Sequence, residues 1–252
     1  MKRFLAFAVA GFVALGGALV PARAADEKVL RRLTFSVNAG FAQTQEAMRT
    51  SQLSTGSGDG GSGLAASGGS ASVGAREIVR GTVTLDIIGV LPTDDALAVR
   101  ISESGDKNIA PVRIDLLGDG RIVAAPEDQG KLSAEELEIA GLCARDYLAG
   151  RPMTAGSVWD IDSDNGKANF RVQNAADGRV SLVVEKNSKG RAAGGGDQRS
   201  TTQLTYDTKR SVPIAATISR RSHVGSLGDL RTMDESFEYR LTSDSFAPAA
   251  SK

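Results

Sequence analysis

Cysteine is almost missing from these 252 residues: Cys143 stands alone. One cysteine excludes an internal disulfide, so the fold must be held by its core. Histidine is equally scarce, with His223 the sole example. Any Ser-His-Asp triad or histidine-based metal site would have to use that one residue. The G-x-S-x-G elbow, the H-E-x-x-H pair and the GxxxxGK[ST] loop are all missing. Aromatic residues make up 5%, with Trp159 the single tryptophan, so no roomy aromatic pocket is demanded. A packed core uses the same side chains equally well. Charge of one sign is also lacking, because 30 basic residues balance 30 acidic ones. Without a basic field, nucleic acid is excluded as a partner.

What is present begins with a targeting segment. Lys2 and Arg3 precede an apolar run over residues 4–20, and Ala22-Arg23-Ala24 forms an A-x-A cleavage site. Gly11, Gly16 and Gly17 interrupt a run barely long enough to span a bilayer, so cleavage of residues 1–24 is expected rather than a retained span. No cysteine stands at the cut to carry a lipid. The mature chain is therefore expected to be exported from a bacterium, periplasmic or secreted. Cleavage takes Lys2, Arg3 and Arg23 and no acid from the balanced 30 and 30, leaving a net charge of about −3.

The mature sequence reads as one β-rich domain over residues 25–242. Val29, Arg31, Leu33, Phe35, Val37, Ala39 and Phe41 alternate with mostly polar residues, which predicts a long half-buried strand. The pattern fades through residues 44–53, where continued strand is the favoured reading. Residues 54–75 hold eight Gly and six Ser and bury too little to offset their ordering entropy, so they read as a disordered insertion. Alternation resumes at Val79–Ile87, Leu97–Ile101 and Val112–Leu116, with Asp94-Asp95, Gly105-Asp106 and Gly118-Asp119-Gly120 at the turns. Beyond residue 157 come further alternating segments at 158–162, 168–174, 179–185, 201–207, 212–221 and 231–241. Residues 187–200 read as a flexible loop and 243–252 as a disordered tail.

Between the two sets of strands lies the one strong helix, residues 133–149. Ser133 is the N-cap with Glu136 three residues on, a capping box, and Leu132 and Leu137 have staple spacing. Gly150 and Pro152 end it. Leu137, Ala140, Gly141, Ala144, Tyr147 and Leu148 form an apolar arc, with Glu135, Glu138 and Arg145 opposite. Cys143 reads as a small buried hydrophobe. One-faced strands exclude a parallel α/β sheet. The predicted fold is mainly β (α+β): a strongly curved, half-barrel-like antiparallel sheet packed on the central helix, with a closed barrel or sandwich as the alternative.

Sites are harder to place. Asp160, Asp162 and Asp164 suggest a calcium loop, but Asn165 and Arg171 occupy the places of the required Gly and Glu, so a hairpin turn is the simpler reading. His223 reads as a solvated strand-end residue, with Ser222 on the other face. Arg31 falls on the apolar parity of its strand, either at the rim or paired with an acid inside. The order of hairpins, helix, then Pro152, Gly156 and Trp159 as a P…G-x-x-W step resembles a group of exported bacterial proteins of unknown function. The architecture is also similar to the half-barrel of periplasmic lipoprotein carriers of the LolA and LppX type. That resemblance implies a non-enzymatic binding protein without metal or cofactor, holding a lipid or other hydrophobic molecule between sheet and helix beside Tyr147, Trp159, Phe170 and Leu137. The alternative is a structural or interaction module of the cell envelope, with a solid core and a protein partner.

Overall fold

The computed structural model describes residues 27–47, 72–73, 76–92, 96–128, 130–144, 147–163, 166–189, 195–226 and 229–246. The expected leader and most of the Gly/Ser insertion lie outside them. Twelve strands form: β1 (Arg31–Ala47), β2 (Ser72–Val73), β3 (Glu77–Val90), β4 (Leu97–Gly105), β5 (Ile109–Leu116), β6 (Ile122–Ala124), β7 (Val158–Ser163), β8 (Gly166–Ala176), β9 (Arg179–Lys189), β10 (Gly195–Asp207), β11 (Val212–Ser226) and β12 (Asp229–Asp244). One helix, α1 (Ala134–Leu142), separates β6 from β7.

All pairings are antiparallel, and the strands lie in the order β6-β5-β4-β3-β1-β12-β11-β10-β9-β8-β7, with β2 added to β1. Two meanders therefore meet at the β1–β12 ladder, where Phe35 faces Leu241, Val37 faces Tyr239 and Ala39 faces Phe237. The segment carrying α1 leads from one outer strand, β6, to the other, β7, and among the described residues no ladder joins those two strands. The sheet is open, as the half-barrel reading expects.

Its curvature follows from reach. Eleven strands spaced ~4.8 Å apart would span nearly 50 Å if flat. The helix has nine residues and is about 14 Å long. Yet its cap bonds Glu103 on β4, its first turn accepts from Tyr239 on β12, and Glu138 meets Arg220 on β11. Only a sheet wrapped around the helix brings these strands to one short element. The concave face is largely apolar: Phe35, Val83, Ile101, Val184 and Phe237 are completely buried, as are Ile139 and Ala140 of the helix, with Glu103 and Thr202 among the buried polar residues. Gly120 in the β5–β6 turn lies close against the helix at φ +91°; a Cβ there would lie 3.1 Å from the Gly141 carbonyl oxygen.

Three expectations need correction. First, the helix ends at Leu142 with Cys143 as its C-cap. Ala144, Tyr147 and Leu148, which defined the predicted arc, therefore do not share its face. The buried face is Glu135, Glu136, Ile139, Ala140 and Leu142, while Leu137 is 41% exposed. Second, residues 187–189 and 195–200 are not loop but the ends of β9 and β10, paired as Asn187↔Arg199 and Lys186↔Ser200. Residues 190–194 lie outside the description. Third, Asp244 and Ser243 belong to β12, not to a tail.

Asp160 and Asp162 lie on β7, which pairs back onto β8 as a hairpin: Asp162 faces Lys167, Ser163 faces Gly166, and Asp160 bonds Lys167 at 2.9 Å and Asn169 at 2.6 Å; Asp164 and Asn165 lie outside the described residues. Arg31 lies at the end of the sheet and is paired with an acid there, its Nη2 2.8 Å from Asp244. Among the described residues no helix is long and apolar enough to cross a membrane.

Candidate functional site

The unpaired β7 edge carries an aromatic cluster. Trp159 on β7 and Phe170 on β8 are register partners, and their rings stack with centroids 5.1 Å apart and planes 9° from parallel. Tyr147, from the segment after α1, meets Phe170 edge-on at 6.1 Å and 65°. Offset stacking and edge contacts are the favoured geometries for ring quadrupoles. Lys186 Nζ lies 6.0 Å from the Tyr147 centroid. The structure thus brings together Tyr147, Trp159 and Phe170. It leaves Leu137 apart, on the outer side of the helix.

Two polar atoms of this cluster are buried without a partner, the Tyr147 hydroxyl and the Trp159 Nε1. Burial pushes the Tyr147 hydroxyl well above the usual phenol value, with the Glu138 charge adding to it. It is therefore a neutral donor at any physiological pH. Each orphaned donor forgoes a bond to water, a loss of roughly 1–3 kcal/mol. An apolar wall with two unused donors can take a hydrophobic ligand that carries acceptor oxygens.

A second polar cluster sits under the start of α1. Ser133 caps the helix: its Oγ accepts from the Glu136 amide at 3.2 Å, and Glu136 Oε2 accepts from the Ser133 amide at 2.9 Å. The same Ser133 Oγ donates to Glu103 Oε2 at 3.1 Å. Lys107 Nζ reaches Glu135 Oε1 at 2.9 Å and stands 5.2 Å from the Phe41 ring centroid. Glu103, Glu135 and Glu136 are all buried, and one oxygen of each has no partner. Burial is the main cause raising both Glu103 and Glu136, the latter to about 7. Charge repulsion among the three acids adds to it. Among the described residues no group of His, Cys, Asp and Glu is placed to hold a metal ion.

Two side chains clamp the helix to the sheet beside this cluster. Tyr239 OH donates to the Glu135 carbonyl at 2.8 Å in a buried bond. Arg220 bridges Glu138, at 2.6 Å, and Glu235, with its guanidinium 5.3 Å from the Phe237 centroid. Tyr239→Phe should cost about 1–2 kcal/mol in denaturant unfolding, because the carbonyl loses its partner in a dry site. An unchanged midpoint would mean that water replaces the hydroxyl.

No protein-family profile matches this chain. No curated protein matches it either. A solved structure titled for lipid–protein interactions in lipovitellin superimposes on 90% of this chain and 26% of its own, with 11% identity and a TM-score of 0.46. This chain therefore spans about a quarter of that one.

Sequence reasoning passed over Glu103, and it placed Glu135 on the face opposite the apolar arc, whereas Glu135 is fully buried. Glu103 shares the odd parity of Val99 and Ile101, so alternation places it on the concave face. The partner signal was missing, because Lys107 and Ser133 are remote in sequence from the acids they serve. Cys143 is buried, and its thiol is pushed up to about 12 by that burial, which suits an inert core residue. His223 lies on β11 with Nδ1 3.1 Å from Thr232 Oγ1.

Proposed function

We propose that this chain is an exported, non-enzymatic binding protein that holds a lipid or other hydrophobic molecule between the curved sheet and the α1 segment. The observation that carries the reading is the aromatic cluster at the unpaired β7 edge, with its two buried, unpartnered donors. An open sheet whose concave face carries buried apolar side chains from both meanders supports such a ligand. Among the described residues the segment from β6 to β7 lies on the concave side without a place in the strand ladder, and entry is assigned to it. An acyl ester satisfies the chemistry: its tail meets the apolar wall and its carbonyl oxygens accept from Tyr147 and Trp159. The half-barrel carriers that the sequence resembles supply the analogy, and the expected leader supplies the periplasmic or secreted location.

A second reading has its own observation. The interior is filled, with side chains such as Phe35, Ile139 and Val184 fully buried, which suits a solid-cored interaction module of the cell envelope.

The test is native mass spectrometry with lipid extraction, on protein purified from an exporting host without delipidation. A stoichiometric hydrophobic ligand supports the carrier. Tyr147→Phe keeps the ring and removes the donor, so it should weaken retention about tenfold for the loss of a bond worth ~1.4 kcal/mol. The same change should stabilise the ligand-free chain by about 1 kcal/mol. An apo mass, no uptake of hydrophobic probes and stabilisation alone would leave the solid-core module as the reading.

A further inference from the structure

The face of the sheet opposite the helix carries a groove of about 850 Å³ across β10, β11, β12 and β1, a volume in the range of ligand clefts. We propose that this groove is a binding site for a phosphate group carried on a polar molecule or headgroup, a site separate from the concave face and independent of what that face holds.

Register builds the site. On β1 the odd residues Val37, Ala39 and Phe41 face the core, so Gly40 and Ala42 face outward. The row that contains Gly40 continues through Ser236, Ser219 and Thr201 on the next three strands. The floor of the groove is therefore short, with three hydroxyls. Gly40 has a steric reason to lack a side chain: a Cβ would come 2.8 Å from Ser236 Oγ and 3.1 Å from Arg76 Nη2. The Arg76 guanidinium is laid over that glycine, with Nη2 3.5 Å from Ser236 Oγ.

The next row supplies the charge. Arg199 on β10 stands directly opposite Arg221 on β11. Like charges in that position repel and destabilise the pair. Arg221 is partly answered by Asp234, its register partner on β12, at 2.6 and 3.3 Å. Asp197 also lines the groove. No ion pair of Arg199 is formed among the described residues. Four arginines and three carboxylates thus line the groove; Arg220 pairs with Glu235 and Arg221 with Asp234, which leaves Arg76 and Arg199 against Asp197 around a floor of hydroxyls. Arginine forks and hydroxyl donors match the several oxygens of a phosphate better than the two of a carboxylate. An anion between Arg199 and Arg221 removes the repulsion that the ladder otherwise carries.

The experiment is a calorimetric titration of the purified chain with glycerol phosphate, beside sedimentation with phosphatidylglycerol and phosphatidylcholine vesicles. Arg199→Gln and Arg76→Gln are the variants; both sites are exposed, so neither should melt below the parent, and Arg199→Gln should melt slightly above it because the Arg199–Arg221 repulsion is gone. Saturable binding of glycerol phosphate, weakened about tenfold in each variant and by added salt, supports the site with a soluble ligand. Sedimentation with phosphatidylglycerol only, lost in the same variants, supports it with a lipid headgroup as the source. Gly40→Ala should act like the arginine variants by displacing Arg76. Failure to bind either probe, or binding that both arginine variants retain at full strength, would overturn the proposal.

Discussion

Asp244→Ala should lower the stability of the fold by about 3 kcal/mol, which for a chain of this size is a fall in melting temperature of roughly 10 °C. Asp244 closes the end of the β1–β12 ladder and is nearly inaccessible, with its side chain 1% exposed. It accepts from Arg31 Nε at 3.0 Å and Nη2 at 2.8 Å, and Arg210 Nη1 lies 3.3 Å away. The Phe246 amide adds a fourth bond at 3.1 Å, and the Phe246 ring lies 5.5 Å from the Arg31 guanidinium. Removing the carboxylate leaves the Arg31 guanidinium, 13% exposed, without its acid, while Arg210 keeps Asp207 at 2.7 Å. Burial alone would raise the Asp244 pKa, but the Arg31 and Phe246 bonds outweigh it and hold the group below the ordinary aspartate value. A carboxylate depressed in the folded state contributes fully above its unfolded pKa of about 3.9 and loses that contribution as pH falls through the folded value. Parent and variant should therefore differ at pH 7 and converge in acid. Chemical unfolding at pH 7 and pH 3 measures both. A loss under 0.5 kcal/mol at pH 7, an order of magnitude typical of exposed pairs, would mean that solvent reaches the cluster freely.

The sheet was legible in the sequence because period-two alternation is a local signal and one-faced strands admit few architectures. Phe35, Val83, Ile101 and Ile218 were all placed on the buried face by parity alone, and all are buried there. The capping box was legible for the same reason, since Ser133 and Glu136 lie within one turn. The face of α1 was not. Its wheel was drawn over residues 133–149, and a helix that stops at Leu142 presents a different side. Strand ends failed likewise where polar residues pair with polar residues: Arg199 with Asn187 and Arg221, and Ser243 with Thr34. No hydrophobic period marks such flanges; register with a neighbour decides them. The candidate site was legible only in part. Tyr147, Trp159 and Phe170 are brought together by the β7–β8 register and the return of the chain from α1, whereas Leu137 belonged to an arc that the short helix does not have.

Glu136→Gln should raise stability at pH 8 by on the order of 3 kcal/mol and leave it nearly unchanged at pH 4. Burial is the first cause that lifts the Glu136 carboxyl to about 7; its bonds to Ser133 oppose the rise, while the charges of Glu103 and Glu135 support it. The charges that act on it are Glu103 on β4 and Glu135 on its own helix, and Lys107 pairs with Glu135 rather than with Glu136. Below pH 4.5 both folded and unfolded chains hold the proton, and Glu136 adds no pH dependence. Between 4.5 and 7 the unfolded chain releases it while the folded chain keeps it, so stability falls as pH rises. Above 7 both forms are ionised and the full deficit stands. Glutamine retains an oxygen to accept from the Ser133 amide and an amide group to donate toward a neighbouring carboxylate, so the capping box survives without the charge. The parent should lose stability across pH 5–7 and the variant should be flatter there. Hydrogen exchange at the first turn of α1 should follow the same window, fast at pH 8 in the parent after correction for intrinsic rates and slowed in the variant. If the parent is flat from pH 5 to 8, the three acids are solvated and the helix cap carries no strain. If the variant loses stability at both pH values, the carboxylate is an anchor rather than a burden.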